Sequence, residues 1–264
     1  MYIEIDHINY GYEPERLILQ DFSLTINKGE AVALMGANGC GKTTLLNILS
    51  GIVVPTAGTF IFDGENTTTK AQKDALFMKG FHQRVGAVFQ NAETQLFCPS
   101  VYDEIAFGPR QMGLSEEAVH ERVQDMADLL KLQGLLEKVP YHLSGGQKKR
   151  VTMAATLALN PDVLLMDEPM AALDPRTQTF VMNLIQSLRQ ARKTIIIATH
   201  DLHRVNDMVD RIVLFDESHG IAADGTPNEV LSQVELLQSV NLVDEQYHVH
   251  IHQHDGDDIV HLHM

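Results

Sequence analysis

The chain alternates unbroken apolar runs with amphipathic stretches. Val163 to Met166 is one such run, and Asp167 ends it. Runs of this kind read as parallel strands buried on both faces. Strands are predicted near 2–9, 17–26, 30–35 and 58–62, a group that includes an antiparallel sheet. Strands near 85–89, 163–167, 194–199, 211–215 and 220–224 are predicted mostly to extend a parallel core. Between them the pattern turns helical. Ser115 is placed to cap a helix with Val119, Val123, Met126 and Leu130 as its inner stripe. A helix over 175–192 starts with Asp174 at the N-cap and Pro175 at N1. Thr226 to Glu229 reads TPNE, a capping box. Residues from about 92 to 158 read as a mostly helical insert. Strands alternating with helices predict an α/β fold.

One junction carries specific chemistry. The strand EAVALMG, Glu30 to Gly36, runs into GANGCGKTT and then an apolar helix. Gly36, Gly41, Lys42 and Thr43 fit G-x-x-x-x-G-K-[ST], the P-loop. Glycines let backbone N–H groups turn inward around phosphate oxygens, and the helix adds its positive N-terminal end. The expected nucleotide contacts are Asn38, Gly39, Cys40, Gly41, Lys42, Thr43 and Thr44. Lys42 serves the β/γ-phosphates and Thr43 a Mg²⁺ ion. Asp167 is then the expected metal-side carboxylate, and Glu168, at the strand's C-terminal edge, the candidate base for an attacking water.

A second anion-binding helix start lies at Ser144, Gly145, Gly146 and Gln147. It opens a helix with Val151, Ala154, Ala155 and Ala158 on one face. Two phosphate-binding helix ends in one chain are most simply explained by two ATPs in a dimer.

Composition narrows the class. A chain of 264 residues with formal net charge −15 lacks the basic footprint of a general nucleic-acid binder. No apolar run approaches the roughly 20 residues of a membrane helix, and no signal peptide is visible. Cys40 and Cys98 form no disulfide framework. A soluble, cytosolic chain is expected.

In order and spacing these motifs resemble the ATP-binding-cassette (ABC) ATPases over nearly the whole chain. LSGGQ at 143–147 looks like their signature motif, and AALD at 171–174, with Asp174, like the D-loop. His200 looks like the switch histidine, Gln90 like the Q-loop glutamine that also reaches Mg²⁺, and Tyr12 like the aromatic stacked on adenine, with Tyr10 as an alternative. The resemblance implies a P-loop NTPase (RecA-like) core with an antiparallel β subdomain and an inserted helical subdomain. It implies ATP and Mg²⁺, catalysis by Glu168, His200 and Gln90, and a second ATPase subunit, identical or paralogous, with ATP at the interface.

The segment after Gln90 reads NAETQLFCPSVYDEIAFGPRQMGL and is similar to the ATPases of energy-coupling-factor (ECF) transporters. There it forms a groove for the membrane subunit. Asp103 and Glu104 suit a helix start and would be free to pair with basic partner residues. The resemblance implies a transmembrane coupling subunit, a substrate-binding membrane subunit, and a place at the cytoplasmic face of the cell membrane. ECF importers take up vitamins or, in one group, cobalt and nickel. Alternatives are a vitamin importer's ATPase, a non-transport ABC ATPase such as a cluster-assembly factor, and, from another class, a metal-storage module.

The tail, residues 241–264 beyond a cassette of 1–240, is rich in histidine. YHVHIHQHDGDDIVHLHM places histidines at every second position before Asp255-Gly256, a hairpin signal. Pairing residues whose numbers sum to 511 sets His250 opposite His261 and His248 opposite His263. A longer loop would instead set His252 opposite His261 and His250 opposite His263. Imidazole suits Ni²⁺ and Co²⁺ among other ions, so His248, His250, His261 and His263 are candidate ligands. A solvated polar face, a flexible tail and a tag are the competing readings.

Overall fold

In the computed structural model the apolar runs form the middle of a six-stranded sheet. The structure describes residues 1–13, 15–71, 74–243, 248–254 and 257–263, with Ala71 and the last two spans described as backbone only.

The chain begins with an antiparallel pair, β1 (Ile3–Tyr10) and β2 (Leu19–Ile26). It then leaves for the larger sheet as β3 (Ala31–Met35), followed by α1 (Lys42–Leu49). It returns as β4 (Ala57–Phe62), which pairs with β1, and the short β5 (Glu65–Asn66). Helices α2 (Thr67–Ala71) and α3 (Ala75–Arg84) lead to β6 (Val85–Val88). Three α-helices follow before the next strand: α4 (Val101–Gln111), α5 (Glu116–Leu129) and α6 (Gly145–Leu157). The rest is β7 (Val163–Asp167), α7 (Pro175–Gln190), β8 (Thr194–Ala198), α8 (Val205–Met208), β9 (Arg211–Phe215), β10 (Ile221–Gly225), α9 (Pro227–Leu231) and α10 (Val234–Ser239). Two backbone-described strands, β11 (His248–His254) and β12 (Asp257–His263), come last.

The large sheet has the order β10-β9-β3-β8-β7-β6, parallel from β9 through β6. Two placements that the pattern left open are decided here. Within the first group, residues 30–35 lie at the parallel centre and not in the antiparallel sheet. Residues 220–224 do not extend the parallel set; β10 pairs antiparallel with β9 at the edge. The first follows from burial. All five residues of β3 are buried, which needs cover on both faces. The second follows from connection length, since the few residues after β9 allow only a hairpin return.

The cover is two separate cores. Val32, Leu34, Leu165 and Ile196 pack with Ile5, Leu24 and Phe60 of the small sheet and Leu45 of α1. Ala33, Met35, Leu164, Met166 and Ile197 pack on the other face with Val119, Val123 and Val181 of the helices. Successive strand residues serve opposite cores, so the pattern is continuous rather than alternating.

In the helical segment, Ser115 accepts the Ala118 N–H as predicted. Val119, Val123 and Leu130 are buried and Met126 packs partly against them; Ala127 completes the stripe. Helix α6 differs from its predicted single face. Val151, Ala154 and Ala158 are buried and Ala155 is half-buried, but so are Lys148, Lys149, Thr152, Met153 and Thr156. It lies between α4, α5 and β6 and has little solvent face.

The tail strands pair antiparallel with His248 opposite His263, Val249 opposite Leu262, His250 opposite His261 and Ile251 opposite Val260. This is the register summing to 511, not the longer-loop alternative. The predicted turn at Asp255-Gly256 lies outside the described residues.

Candidate functional site

Four adjacent parallel strands, β3, β8, β7 and β6, deliver the predicted chemistry to one edge. The loop after β3 holds Gly36 to Gly41; β7 ends in Asp167 and Glu168; β8 runs into Thr199 and His200; β6 leads to Gln90. A single cleft is lined by Asn38, Gly39, Gly41, Lys42, Thr43, Thr44, Gln90, Asp167, Glu168 and His200, with Ile18 beside them. Residues up to 162 positions apart in sequence therefore share one wall, because ligand sites in such sheets form at the carboxyl ends of strands.

The phosphate loop is tight. Gly36 has φ +145°, and a Cβ there would come within 2.8 Å of Cys40 Sγ and 2.9 Å of the Phe215 carbonyl oxygen. Gly41, at φ +112°, is the N-cap of α1 and offers no side chain to its first turn. Those helix N–H groups are thus left for an anion. The buried Lys42 ammonium donates to the carbonyls of Gly36 (2.7 Å) and Ala37 (2.9 Å). Cys40 is buried against it, and burial pushes its thiol pKa up, so the sulfur stays uncharged beside the phosphate loop.

The acidic half is equally ordered. The Thr43 hydroxyl donates to Asp167 Oδ2 at 2.8 Å, which unites two of the three expected Mg²⁺ side chains. Glu168 sits in a left-handed conformation, φ 42°, with its N–H on the Ala198 carbonyl. His200 Nδ1 lies 2.6 Å from Glu168 Oε1, and the Thr199 hydroxyl donates to Oε2 at 3.3 Å. Both carboxylate oxygens are held. The Glu168 side chain is only 12% exposed, whereas His200 is 61% exposed.

Other predicted residues lie elsewhere. Tyr12 is exposed and does not line the cleft. Its hydroxyl accepts from Asn47 Nδ2 of α1 at 3.3 Å, and its ring meets Tyr10 edge-on. Ser144 and Gln147 form a capping box at the start of α6 and do not line the cleft. Gly146 faces the D-loop: a Cβ there would lie 3.2 Å from Thr177 Oγ1 and 3.7 Å from Asp174 Oδ2. Asp174 itself caps α7 through Arg176 and Thr177, and the Thr177 hydroxyl holds its carboxyl below the usual range.

A family model described as ABC transporter matches residues 19–171. The chain belongs to the ABC transporter family. It is 46% identical to a nickel import ATP-binding protein, LarO, of Lactiplantibacillus plantarum, across 85% of this chain and 92% of LarO. Among solved structures, cbiO1 of Clostridium perfringens, part of the ABC transporter complex cbiONQ, superposes with TM-score 0.77 at 33% identity, covering 91% of this chain and 94% of cbiO1. A dimeric cassette, MJ0796, in a post-hydrolysis state with ADP and phosphate, gives 0.75 at 27% identity over 85% of this chain and 98% of its own. The cassette is an ABC-type ATPase with a P-loop NTPase core, and it works on ATP with Mg²⁺. The glycine loop, the Thr43–Asp167 pair and the uncapped start of α1 fit both groups.

Beside the nucleotide cleft lies a groove lined by Gln95, Leu96, Phe97, Glu104, Phe107 and Leu159, among others. Here one expectation is corrected. Glu104 is buried and accepts the N–H groups of Phe97 and Cys98 at 3.0 and 2.8 Å. Asp103 takes the Ser100 hydroxyl and the Arg110 guanidinium. Neither acid is free for a basic partner; both shape the loop. What the ABC cassette exposes instead is an edge-to-face pair, Phe97 and Phe107, with ring centroids 5.0 Å apart.

Sequence reasoning missed Thr199, the second holder of Glu168, and Lys149. Lys149 is 3% exposed, and burial pushes its pKa down to about 8, against the pull of Asp167 and Glu168. Thr199 had a signal, its place beside His200 at a strand end; Lys149, inside a Lys-Lys-Arg run, reads as solvated.

Proposed function

We propose that this cassette is the ATP-hydrolysing subunit of a nickel or cobalt importer of the energy-coupling-factor type. The observation that carries the reading is likeness across most of the chain to proteins named for nickel import and for the cbiONQ complex. Among the described residues no helix is long and apolar enough to cross a membrane. The cassette would therefore act through separate membrane subunits, one coupling and one substrate-binding, from the cytoplasmic face. The exposed Phe97–Phe107 pair offers an apolar seat for the coupling subunit.

Residues 1–240 form the ATPase in this reading, with about 92–158 as its helical subdomain, and 241–264 form a separate tail. Two cassettes, identical or paralogous, close head to tail on two ATPs. Lys42 and the loop Asn38–Thr44 hold the phosphates from one side, and Ser144 to Gln147 with Asp174 approach from the other. Tyr12 stacks on adenine. Mg²⁺, when bound by Thr43, Asp167 and Gln90, neutralises phosphate charge. Glu168, oriented by Thr199 and His200, accepts the proton of the attacking water. His200 and Lys42 balance the charge that develops on the terminal phosphate.

The tail histidines His248, His250, His261 and His263 would bind Ni²⁺ or Co²⁺ as an auxiliary site. Two cross-strand His–His register pairs support this, since directly opposed positions have Cβ atoms about 4.5–5.5 Å apart. The test of transport is uptake of labelled Ni²⁺ and Co²⁺ by cells with and without this chain. Uptake should fall without it. Loss of a vitamin's uptake with metal uptake intact would overturn the substrate.

A further inference from the structure

Two consecutive lysines of α6 grip the loop that carries Gln90. The Lys149 ammonium donates to the carbonyl oxygens of Phe89 (2.8 Å) and Gln90 (3.2 Å). Lys148 pairs with Glu93 at 2.5 Å and lies over the Tyr141 ring. Both lysines are buried, at 8% and 3% exposure in chain order. An ammonium taken out of water is costly unless it is paired and hydrogen-bonded. No solvated-surface role requires that burial. The main-chain carbonyls of Phe89 and Gln90 are the partners that compensate it.

The position of this contact matters. Phe89 and Gln90 follow β6 at the edge of the ATP cleft, and Gln90 lines that cleft with Asp167, Glu168 and His200. Lys149 stands at the third position after Gly146 on the helix that the Ser144–Gln147 capping box starts. The same helix turn therefore holds both the signature motif and the backbone of the glutamine. Asn91 fixes the next stretch by accepting the Glu93 N–H, and Gln95 accepts the Phe89 N–H at 2.9 Å. Phe89 and Gln90 are thus clamped through their carbonyls by α6 and, at Phe89, through its N–H by the loop itself.

We propose that Lys149 is a positioning residue for ATP hydrolysis, holding the Phe89–Gln90 backbone so that the Gln90 side chain is presented to the cleft, and tying that loop to the signature helix. It touches no substrate. The proposal rests on the assignment of Gln90 to the hydrolytic site. A misplacement of about 1 Å in such a group costs on the order of 100-fold in rate.

The test is a double-mutant cycle on the full chain in its assembled ATPase form, with Lys149→Met and Gln90→Ala. Lys149→Met should lower kcat about 100-fold and leave the KM for ATP within about threefold, because the lost interaction orients the chemistry rather than binding substrate. In the Gln90→Ala background the same change should have almost no further effect on kcat. Lys149→Arg, which keeps the donors, should recover most of the rate. Additive losses in the cycle, a KM that rises in step with the fall of kcat, or normal kcat in Lys149→Met would each overturn the proposal. If Gln90→Ala alone hydrolyses ATP normally, the assignment of Gln90 fails instead. Should Lys149→Met not fold, Lys149→Gln, with one neutral amide donor, carries the same cycle.

Discussion

At the scale of single residues, the cleft works by fixing side chains before substrate arrives. Glu168 has both oxygens engaged, one near His200 Nδ1 and one with the Thr199 hydroxyl, and its backbone is left-handed. A carboxylate so held has one orientation toward a water, which is what a general base needs. Glu168→Gln keeps the shape and removes the basicity. It should bind ATP as the parent does and hydrolyse it slower by about 100-fold or more. Steady-state turnover beside nucleotide binding checks this, and near-normal turnover would remove Glu168 from the role of base. Glu168 was legible because the acidic pair closes an apolar run. Thr199 showed only its place beside His200, and Lys149 gave no sign, since their value depends on groups 31 and 59 residues away.

At the scale of elements, caps and stripes were readable and burial was not. Ser115, Asp174, Ser144 and Thr226 all cap the helices expected of them, because a cap is a contact within four residues. Ser115→Ala should destabilise the protein by about 1 kcal/mol, a shift of roughly 2–4 °C in Tm for a chain of this size. ATPase activity per folded molecule should be unchanged, as α5 lies outside the cleft; thermal melts and turnover on one preparation decide it. Helix α6 shows the opposite case. Its residues 148–150, Lys-Lys-Arg, read as an exposed face, yet Lys148 and Lys149 are buried. Packing on three sides overrode the local pattern.

At the scale of the whole molecule, several carboxylates are held low by partners. The Ser100 hydroxyl acts on Asp103, the Thr177 hydroxyl on Asp174, and the Thr226 N–H on Glu229. A depressed folded pKa contributes stability that is present above the unfolded value, near 4, and is lost as pH falls through the folded one. Unfolding free energy should therefore decline as pH falls below about 4.5. Denaturant titrations across pH measure it; an unchanged value at pH 3.5 would contradict these shifts. The tail makes a separate prediction. Removing residues 247–264 should abolish Ni²⁺ binding measured by calorimetry and leave basal ATPase activity intact. Lost basal activity would mean that the tail is structural.

The sequence by itself determined the ABC motifs, the α/β alternation and the helix caps, and narrowed the tail hairpin to two registers. Each depends on spacing within a short window, where backbone geometry leaves few choices. Only the tertiary structure decided that β3 lies between β8 and β9, that Glu104 turns inward, and that Lys149 clasps the Gln90 loop. Those outcomes depend on which distant segments come to share a surface. The cost of burying a charge is settled by partners that no local pattern names.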